Sequence, residues 1–365
     1  MSVQSVLARP LRFDADWGLR NASRRWTEKH VVLVFVQSTD GAWGVGECWA
    51  EPGFPDRLPG LLNETLVPEI LHRSPEDGRA ILARHAAENG DGRDRLLMSG
   101  VSGLDCALWD LEARIKGRPL AAVLGNGADR VYCYGSGGLY RDDETPEHAA
   151  AVARDYVDAG FNAVKIKVGG VPLPEDTDRV AAVREAIGPG VQLMLDANGV
   201  MSPDGAIAFA EAVEPFAITW FEEPLPLSRA SELPSLSKSV SIPLCGNEGE
   251  AGRDRVLALV NGGGVGYLQI DLSICGGITA ALDFLETAKE RHRPVTLHSA
   301  SSLVLYLASL HLAAAAVPSP SVEHHMVHRW LFDRLDAERL SADQGWVRLP
   351  AEPGLGIDLK ADDLH

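Results

Sequence analysis

The feature that most restricts the fold of this chain is a series of short apolar segments that alternate with longer helix-like stretches after residue 130. The segments are rich in aliphatic and β-branched residues, which favour strands. Their starts are mostly separated by roughly 25–30 residues, the length of one βα unit. Eight segments are predicted as strands: Val131–Ser136, Ala163–Val168, Gln192–Asp196, Ile218–Glu222, Ile242–Gly246, Tyr267–Asp271, Pro294–His298 and Ser321–Glu323.

Alternating strands and helices predict a parallel sheet, because each helix returns the chain to the start of the next strand. Eight such strands close readily into a (β/α)₈-type barrel, and the fold class is therefore predicted as α/β. An open, doubly wound sheet is the alternative, since it uses the same alternation of elements.

Residues 1–125 are predicted as a separate α+β unit. Glu28–Trp49 predicts a hairpin, and Pro75–Glu88 and Ser99–Gly117 have apolar residues at helical spacing. Near the other end of the chain, Gly345–Leu359 predicts short strands and turns. The predicted organisation is an N-terminal unit over residues 1–125, a barrel over residues 126–326 and a C-terminal segment over residues 327–365.

The composition excludes several kinds of partner. The formal net charge of -17 argues against nucleic acid and anionic membranes, which bind basic surfaces. The apolar run Leu303–Val317 contains a histidine and is shorter than the ~20 residues of a membrane span. Five scattered cysteines, with no paired spacing and no signal peptide, predict reduced thiols in the cytoplasm.

Three acidic residues follow successive predicted strands at matching positions. Asp196, Glu222 and Glu248 are separated by 26 residues each (222 − 196 and 248 − 222). The carboxyl ends of barrel strands meet at one mouth, where three carboxylates repel one another unless a cation neutralises them. Oxygen ligands of this kind suit Mg²⁺ or Mn²⁺. Acids that only cap helices are the alternative, and Glu250 competes with Glu248 for the third position. Glu223 is expected to point away from the mouth, because neighbouring strand residues alternate.

Four further ionisable residues lie on or at the ends of predicted strands. Lys165 and Lys167 are two apart on one strand and point the same way. A neighbouring ammonium group and partial burial would lower the pKa of Lys167 and make it a usable base, although both lysines could instead pair with the acids. Asp271 and His298 end consecutive strands, where a carboxylate could fix the tautomer of the imidazole.

Together these residues resemble the enolase superfamily and, within it, the mandelate racemase subgroup. The resemblance extends over essentially the whole chain. It rests on a set of motifs that occur in the family's order: "SGVSGLDCALWDLEARIKGRPLAAVLG", "KIK", "LDAN", "WFEEP", "GNE", "DLSICGGIT", "LHS" and "VEHH".

The resemblance implies a modified barrel, (β/α)₇β, capped by an α+β domain built from both ends of the chain. It implies that Mg²⁺ is bound by Asp196, Glu222 and Glu248. It implies two acid/base catalysts, Lys167 supported by Lys165, and His298 paired with Asp271. It also implies that Glu323 hydrogen-bonds a substrate oxygen and that Asn198 lies near the ligand.

The shared chemistry of this family is removal of the proton next to a carboxylate. We expect dehydration of an acid sugar, an aldonate or aldarate, to a 2-keto-3-deoxy acid. Racemisation or epimerisation of a 2-hydroxy acid and cycloisomerisation of a sugar lactone are alternatives, because they use the same catalytic pair. A non-catalytic binding barrel, and a metal-dependent aldolase or hydrolase, are alternatives of other classes.

Substrate selection is expected to depend on residues around the barrel mouth. Cations and aromatic residues near the N-terminus could hold a distal carboxylate, although solvated arginines are the plainer interpretation. The candidates are Trp17, Arg20, Arg24, Trp49 and, after the last barrel strand, His324. We also expect a homo-oligomer.

Overall fold

The computed structural model describes residues 1–125, 127–246, 248–332 and 340–364. The N-terminal region is an antiparallel sheet packed against helices. Its strands are β1 (Val3–Asp14), β2 (Leu19–Arg20), β3 (Glu28–Ser38) and β4 (Trp43–Cys48). Its helices are α1 (Phe54–Leu61), α2 (Val67–Ile70), α3 (Pro75–Glu88), α4 (Arg95–Ile115) and α5 (Leu120–Leu124).

The sheet of this region has the order β1-β3-β4, and its register places Val36 beside Gly44 and Val34 beside Gly46. The two glycines let α4 approach the sheet closely, because a Cβ on Gly46 would lie 2.1 Å from the carbonyl oxygen of Gly103. Residue size at these positions therefore sets the distance between sheet and helix.

The second region is a closed parallel barrel. Its strands are β5 (Arg130–Ser136), β7 (Ala163–Lys167), β8 (Gln192–Asp196), β9 (Ile218–Glu222), β10 (Leu244–Gly246), β11 (Tyr267–Ile270), β12 (Val295–Leu297) and β13 (Ser321–His325). β13 pairs with β5 and closes the ring. The helices between them are α6 (Pro146–Asp158), α7 (Leu173–Ile187), α8 (Pro203–Val213), α9 (Leu233–Leu236), α10 (Arg253–Asn261), α11 (Gly277–Glu290) and α12 (Leu303–Ala315).

In the part of the chain that the structure describes, seven helices lie between eight strands. This order, (β/α)₇β, confirms the predicted barrel and rules out the open sheet. Four strands are shorter than predicted; the second ends at Lys167, one residue before the predicted Val168. The fifth and seventh begin after Pro243 and Pro294, which have no N–H for the ladder. The sixth ends at Ile270, so that Asp271 and His298 both stand just beyond their strands.

The C-terminal segment contacts both regions. It contains β14 (Ala342–Asp343) and β15 (Trp346–Arg348), and β15 pairs antiparallel with β5. The remaining short strand, β6 (Tyr140–Arg141), pairs with β2. Farther along, Leu355 N–H donates to Asp110 of α4 over 2.7 Å. The domain boundaries at residues 125 and 326 stay a prediction.

A buried carboxylate joins the N-terminal sheet to the barrel. Glu47 on β4 accepts hydrogen bonds from the Ser302 hydroxyl group, from Ser302 N–H at 3.4 Å and from Leu305 N–H at 3.3 Å. These donors form the N-terminus of α12, where the helix dipole favours a negative group.

Among the described residues, no helix combines the length and apolar character that a membrane crossing requires.

Candidate active site

The carboxyl ends of the barrel strands face a cavity of about 250 Å³ beneath the N-terminal region. Side chains from both regions line it, including Lys167, Asn198, Glu248 and His298. A larger cavity of about 510 Å³ lies at the opposite end of the barrel, far from these residues. The smaller cavity is the candidate active site, because the predicted catalytic groups converge there.

Three carboxylates stand together at one wall of this cavity. Asp196 and Glu222 are neighbours in register on β8 and β9. One oxygen of each lies within 4.8 Å of an oxygen of Glu248, close enough for one cation to bind all three. Glu248 Oε2 is buried and makes no hydrogen bond of acceptable geometry in the described part of the chain; its charged neighbour is His298, whose Nε2 lies 3.2 Å away. An all-oxygen set with an unsatisfied acceptor fits a hard divalent cation.

Glu250, the competing residue for the third position, is engaged elsewhere. Its carboxylate accepts two hydrogen bonds from the Arg255 guanidinium group, at 2.6 and 3.0 Å. This bidentate pair holds Glu250 apart from the cluster of Asp196, Glu222 and Glu248.

The two lysines of β7 reach the carboxylates from beside them. Lys165 is fully buried, with its Nζ 2.6 Å from Glu222 Oε1 and 3.2 Å from Glu323 Oε1. Lys167 Nζ contacts Asp196 Oδ2 directly. The expected lowering of the Lys167 pKa is wrong for this arrangement. Burial does lower this pKa, but Asp196 outweighs burial and leaves the pKa raised.

His298 reaches the cluster at a different carboxylate. Its Nδ1 lies 2.6 Å from Asp271 Oδ2, and Ser273 N–H donates to Asp271 Oδ1 over 2.7 Å. Its Nε2 is 3.2 Å from Glu248 Oε2. Burial lowers the pKa of His298, but Glu248 and Glu323 more than offset this and raise the pKa to about 10. The imidazole is therefore protonated in this arrangement.

Glu323 and Asn198 lie beside these groups. Burial raises the pKa of Glu323, but Lys165 and His298 outweigh it and hold the pKa well below its usual range. An ionised Glu323 can accept a hydrogen bond but cannot donate one. Donation from Glu323 to a developing enolate oxygen would require its protonated form. Asn198 donates its backbone N–H to Asp196 over 2.9 Å and accepts from Asn21 Nδ2 over 2.9 Å.

Arg24 and Trp49 are the two predicted N-terminal substrate contacts that line the cavity. The ring centroid of Trp49 is 6.2 Å from that of His298. Trp17 does not line this cavity: its ring is 40% exposed and packs on Trp330, and its contact with substrate stays a prediction.

Arg20 and His324 also lie outside the cavity lining, and their roles in substrate binding stay predictions. Arg20 lies over the ring of Tyr140 and donates to Gly170 O over 3.1 Å, so its charge is directed away from the cavity. His324 forms a 2.7 Å hydrogen bond with the Tyr306 hydroxyl group. Strand alternation explains its direction, since Glu323 points inward and the next residue on β13 points toward the helices.

Several cavity residues have no assigned role in the predictions from sequence: Trp26, Lys29, Glu223, His325 and His328. Alternation along β13 was the available signal for His325, which shares a strand face with Glu323. Glu223 lines the cavity, contrary to expectation, because it follows the last residue of β9 and has a φ of 40°. That left-handed conformation breaks the strand alternation.

Comparison with known proteins agrees with this fold. Residues 15–125 match the model of the "Mandelate racemase / muconate lactonizing enzyme, N-terminal domain", and residues 148–363 match "Enolase C-terminal domain-like". Arabinonate dehydratase of Saccharolobus solfataricus is 28% identical, covering 90% of this chain and 88% of that protein. D-galactarolactone cycloisomerase of Agrobacterium fabrum is 30% identical, covering 100% and 98%.

Among solved structures, L-talarate/galactarate dehydratase of Salmonella typhimurium, liganded with Mg and L-lyxarohydroxamate, superposes with a TM-score of 0.86. It is 26% identical, covering 99% of this chain and 91% of that chain. The fold and site define a barrel enzyme with a capping α+β region. The chain belongs to the enolase superfamily, in its mandelate racemase subgroup.

Proposed function

We propose that this protein removes the proton α to the carboxylate of an acid sugar and eliminates the β-hydroxyl group, giving a 2-keto-3-deoxy acid. The observation that carries the proposal is the placement of two acid/base groups around one carboxylate cluster. Lys167 contacts it at Asp196, and His298 approaches it at Glu248. A substrate carboxylate held at the cluster would have an amine and an imidazole near its α and β carbons.

Mg²⁺ is the proposed cofactor, held by Asp196, Glu222 and Glu248. When bound, a divalent cation supplies positive charge beside the substrate carboxylate and makes the α proton more acidic. The resident charges of the chain fit this assignment. Lys165 pairs with Glu222, and Lys167 pairs with Asp196. These ion pairs indicate that the three carboxylates need nearby positive charge to stay ionised together.

Lys167 is the proposed base that accepts the α proton. Because Asp196 raises its pKa, Lys167 becomes an effective base only when that carboxylate is engaged by a cation. His298 is the proposed acid, since its Nδ1–H is held by Asp271 and its Nε2 faces the cavity. A protonated imidazole can donate to the departing hydroxyl oxygen, which then leaves as water.

Isomerisation is the second candidate, because the same pair can serve it. With no leaving group on the β carbon, His298 would return a proton to the α carbon and invert it. With a lactone, elimination would open the ring. The 30% identity to a D-galactarolactone cycloisomerase over the full chain supports keeping this reaction open.

The test is a screen of mono- and diacid sugars and sugar lactones with Mg²⁺, detecting 2-keto acid and α-deuterium exchange. We expect at least one dehydration, abolished in Lys167→Ala and His298→Asn. Lys289→Ala and His292→Asn are matched controls, because both residues are exposed and outside the cavity lining. If α-deuterium exchange or ring opening occurs without dehydration, the protein would be assigned as an isomerase instead of a lyase. A Mg²⁺-binding protein that does neither would favour a non-catalytic barrel.

A further inference from the structure

Four residues that the reaction does not use form a second part of the cavity wall. Trp26 and Lys29 come from the N-terminal region, and His325 and His328 from the end of the barrel; all four line the cavity. We call this group the second subsite. In the part of the chain that the structure describes, its side chains form no hydrogen bond or ion pair with Asp196, Glu222 or Glu248.

The hydrogen bonds of His328 fix which of its nitrogens carries a proton. Nδ1 is 3.1 Å from the carbonyl oxygen of Ala300, which can only accept, so Nδ1 carries hydrogen. Burial lowers the pKa of His328 well below its usual value, so the ring is neutral. Nε2 is therefore an acceptor, and it is buried without a partner among the described residues.

His325 has the opposite tautomer. Its Nδ1 accepts the backbone N–H of Val327 at 3.2 Å and of His328 at 2.9 Å, so the hydrogen of its neutral ring is on Nε2. The rings of His325 and His328 are stacked, with centroids 4.1 Å apart and planes 9° apart. The stacked pair thus offers one N–H donor and one bare acceptor.

Trp26 and Lys29 add donors beside this pair. Trp26 Nε1 is buried and has no acceptor in the described residues, and its ring lies edge-on to His328 with centroids 5.2 Å apart. Lys29 Nζ donates to the Ala300 oxygen over 3.3 Å, the same oxygen that His328 uses. An unmatched buried donor and an unmatched buried acceptor therefore belong to two rings in edge contact that line the same cavity, and each costs free energy until a ligand satisfies it.

A hydroxyl group satisfies both atoms at once, because it can donate to His328 Nε2 and accept from Trp26 Nε1. A carboxylate cannot, since it would face the lone pair of His328 Nε2. Arg24 and Lys29 do not reverse this preference, because an anion lies near each of them. Arg24 lies over Trp26 at 5.1 Å with Glu51 nearby, and Lys29 donates to the Ala300 oxygen with Glu47 nearby. We propose that the second subsite binds a neutral hydroxyl group remote from the substrate carboxylate, and so selects polyhydroxy monocarboxylates over dicarboxylates.

This inference rests on the proposed function for the position of the substrate carboxylate. Its test measures binding rather than turnover. Calorimetry on the Mg²⁺-loaded Lys167→Ala protein would compare five- and six-carbon aldonates with the matched aldarates and terminal deoxy acids. Each set differs only at the last carbon: CH₂OH, carboxylate or CH₃. We expect at least one aldonate to bind about tenfold or more tightly than both partners.

Two further substitutions in this background assign that preference to the subsite. Trp26→Phe keeps the ring and removes the N–H donor. His328→Asn keeps a donor for Ala300 and removes the Nε2 acceptor. Each should weaken aldonate binding about tenfold and leave the terminal deoxy acid unchanged. His311→Asn is the matched control, because His311 Nε2 is also buried without a partner in the described chain but lies outside the cavity.

Tighter binding of aldarates, equal losses for the aldonate and its deoxy partner, or no aldonate binding at all would overturn the inference. Failure of the proposed function looks different, since it would leave aldonate selectivity intact in the binding assay while wild-type protein produced neither 2-keto acid nor exchange. Conversely, efficient aldarate dehydration with weak aldonate binding would support the proposed reaction and contradict the proposed role of the second subsite.

Discussion

Replacing Asp271 by asparagine should separate the two halves of the proposed reaction. The amide oxygen must keep accepting from Ser273 N–H, because that backbone donor is 2.7 Å away and cannot change its role. The amide NH₂ group then faces His298 Nδ1, where the carboxylate now lies at 2.6 Å. His298 is forced to accept at Nδ1 and can no longer be a stable imidazolium.

The size of the effect follows from the change in hydrogen bonding and protonation at His298 Nδ1. A hydrogen bond to a charged group is worth about 2 kcal/mol, which corresponds to a factor of about 30. Loss of the correct tautomer in a carboxylate–imidazole pair can reach about 10⁴-fold in kcat. We therefore expect the Asp271→Asn variant to lose about 10²- to 10⁴-fold in kcat for dehydration, with a small change in KM.

The assay is steady-state formation of 2-keto acid, run beside α-deuterium exchange and thermal melting. Exchange should persist, because Lys167 still abstracts the α proton. Ser273→Ala is the matched control: it removes the hydroxyl donor 2.5 Å from Asp271 but keeps the carboxylate, and should cost less than about tenfold. Dehydration within about fivefold of wild type, or equal loss of exchange and dehydration, would refute the assignment of His298 as the acid.

Three further outcomes are expected. Glu248→Gln should weaken Mg²⁺ binding by about 100-fold or more in calorimetry, whereas Glu250→Gln, which breaks only the pair with Arg255, should leave it unchanged; the reverse result would exchange their roles. Gly46→Ala should lower the free energy of unfolding by about 3 kcal/mol in urea, because its Cβ would meet backbone atoms of α4; an unchanged value would contradict that close packing. Burial lowers the pKa of His311 to about 4, below the ~6.5 of an unfolded chain, so its contribution to stability is complete above pH ~6.5 and is lost as the pH falls toward 4, by up to ~1.4 kcal/mol per unit. Melting curves from pH 7 to 4.5 should show a smaller decline for His311→Asn than for wild type.

The sequence was sufficient to predict which carboxylates converge, because a closed parallel barrel brings the carboxyl ends of its strands together. Asp196 and Glu222 end their strands in register, so regular spacing in the chain became proximity in space. The preference for Glu248 over Glu250 rested on the same spacing. What separates these two in the structure is the contact with Arg255, which no spacing rule includes.

The sequence was less informative about the cavity wall. Trp17 and Arg20 were chosen for residue type, and their directions depend on packing against Trp330 and Tyr140. Lys29 was overlooked because β3 gives no sign of which barrel groups its side chain will meet. The direction of the Lys167 pKa shift was predicted wrongly for a related reason. It depends on the contact with Asp196 as well as on burial.

The position of Glu47 has a consequence for how the molecule comes apart. Its carboxylate is buried and accepts from donors at the start of α12, and apolar residues of both regions, Phe35 and Leu305 among them, share one core cluster, so separating the N-terminal sheet from the barrel would expose that apolar surface to water. The two regions should therefore melt in a single cooperative transition, and fragments expressed apart should each be less soluble than the intact chain.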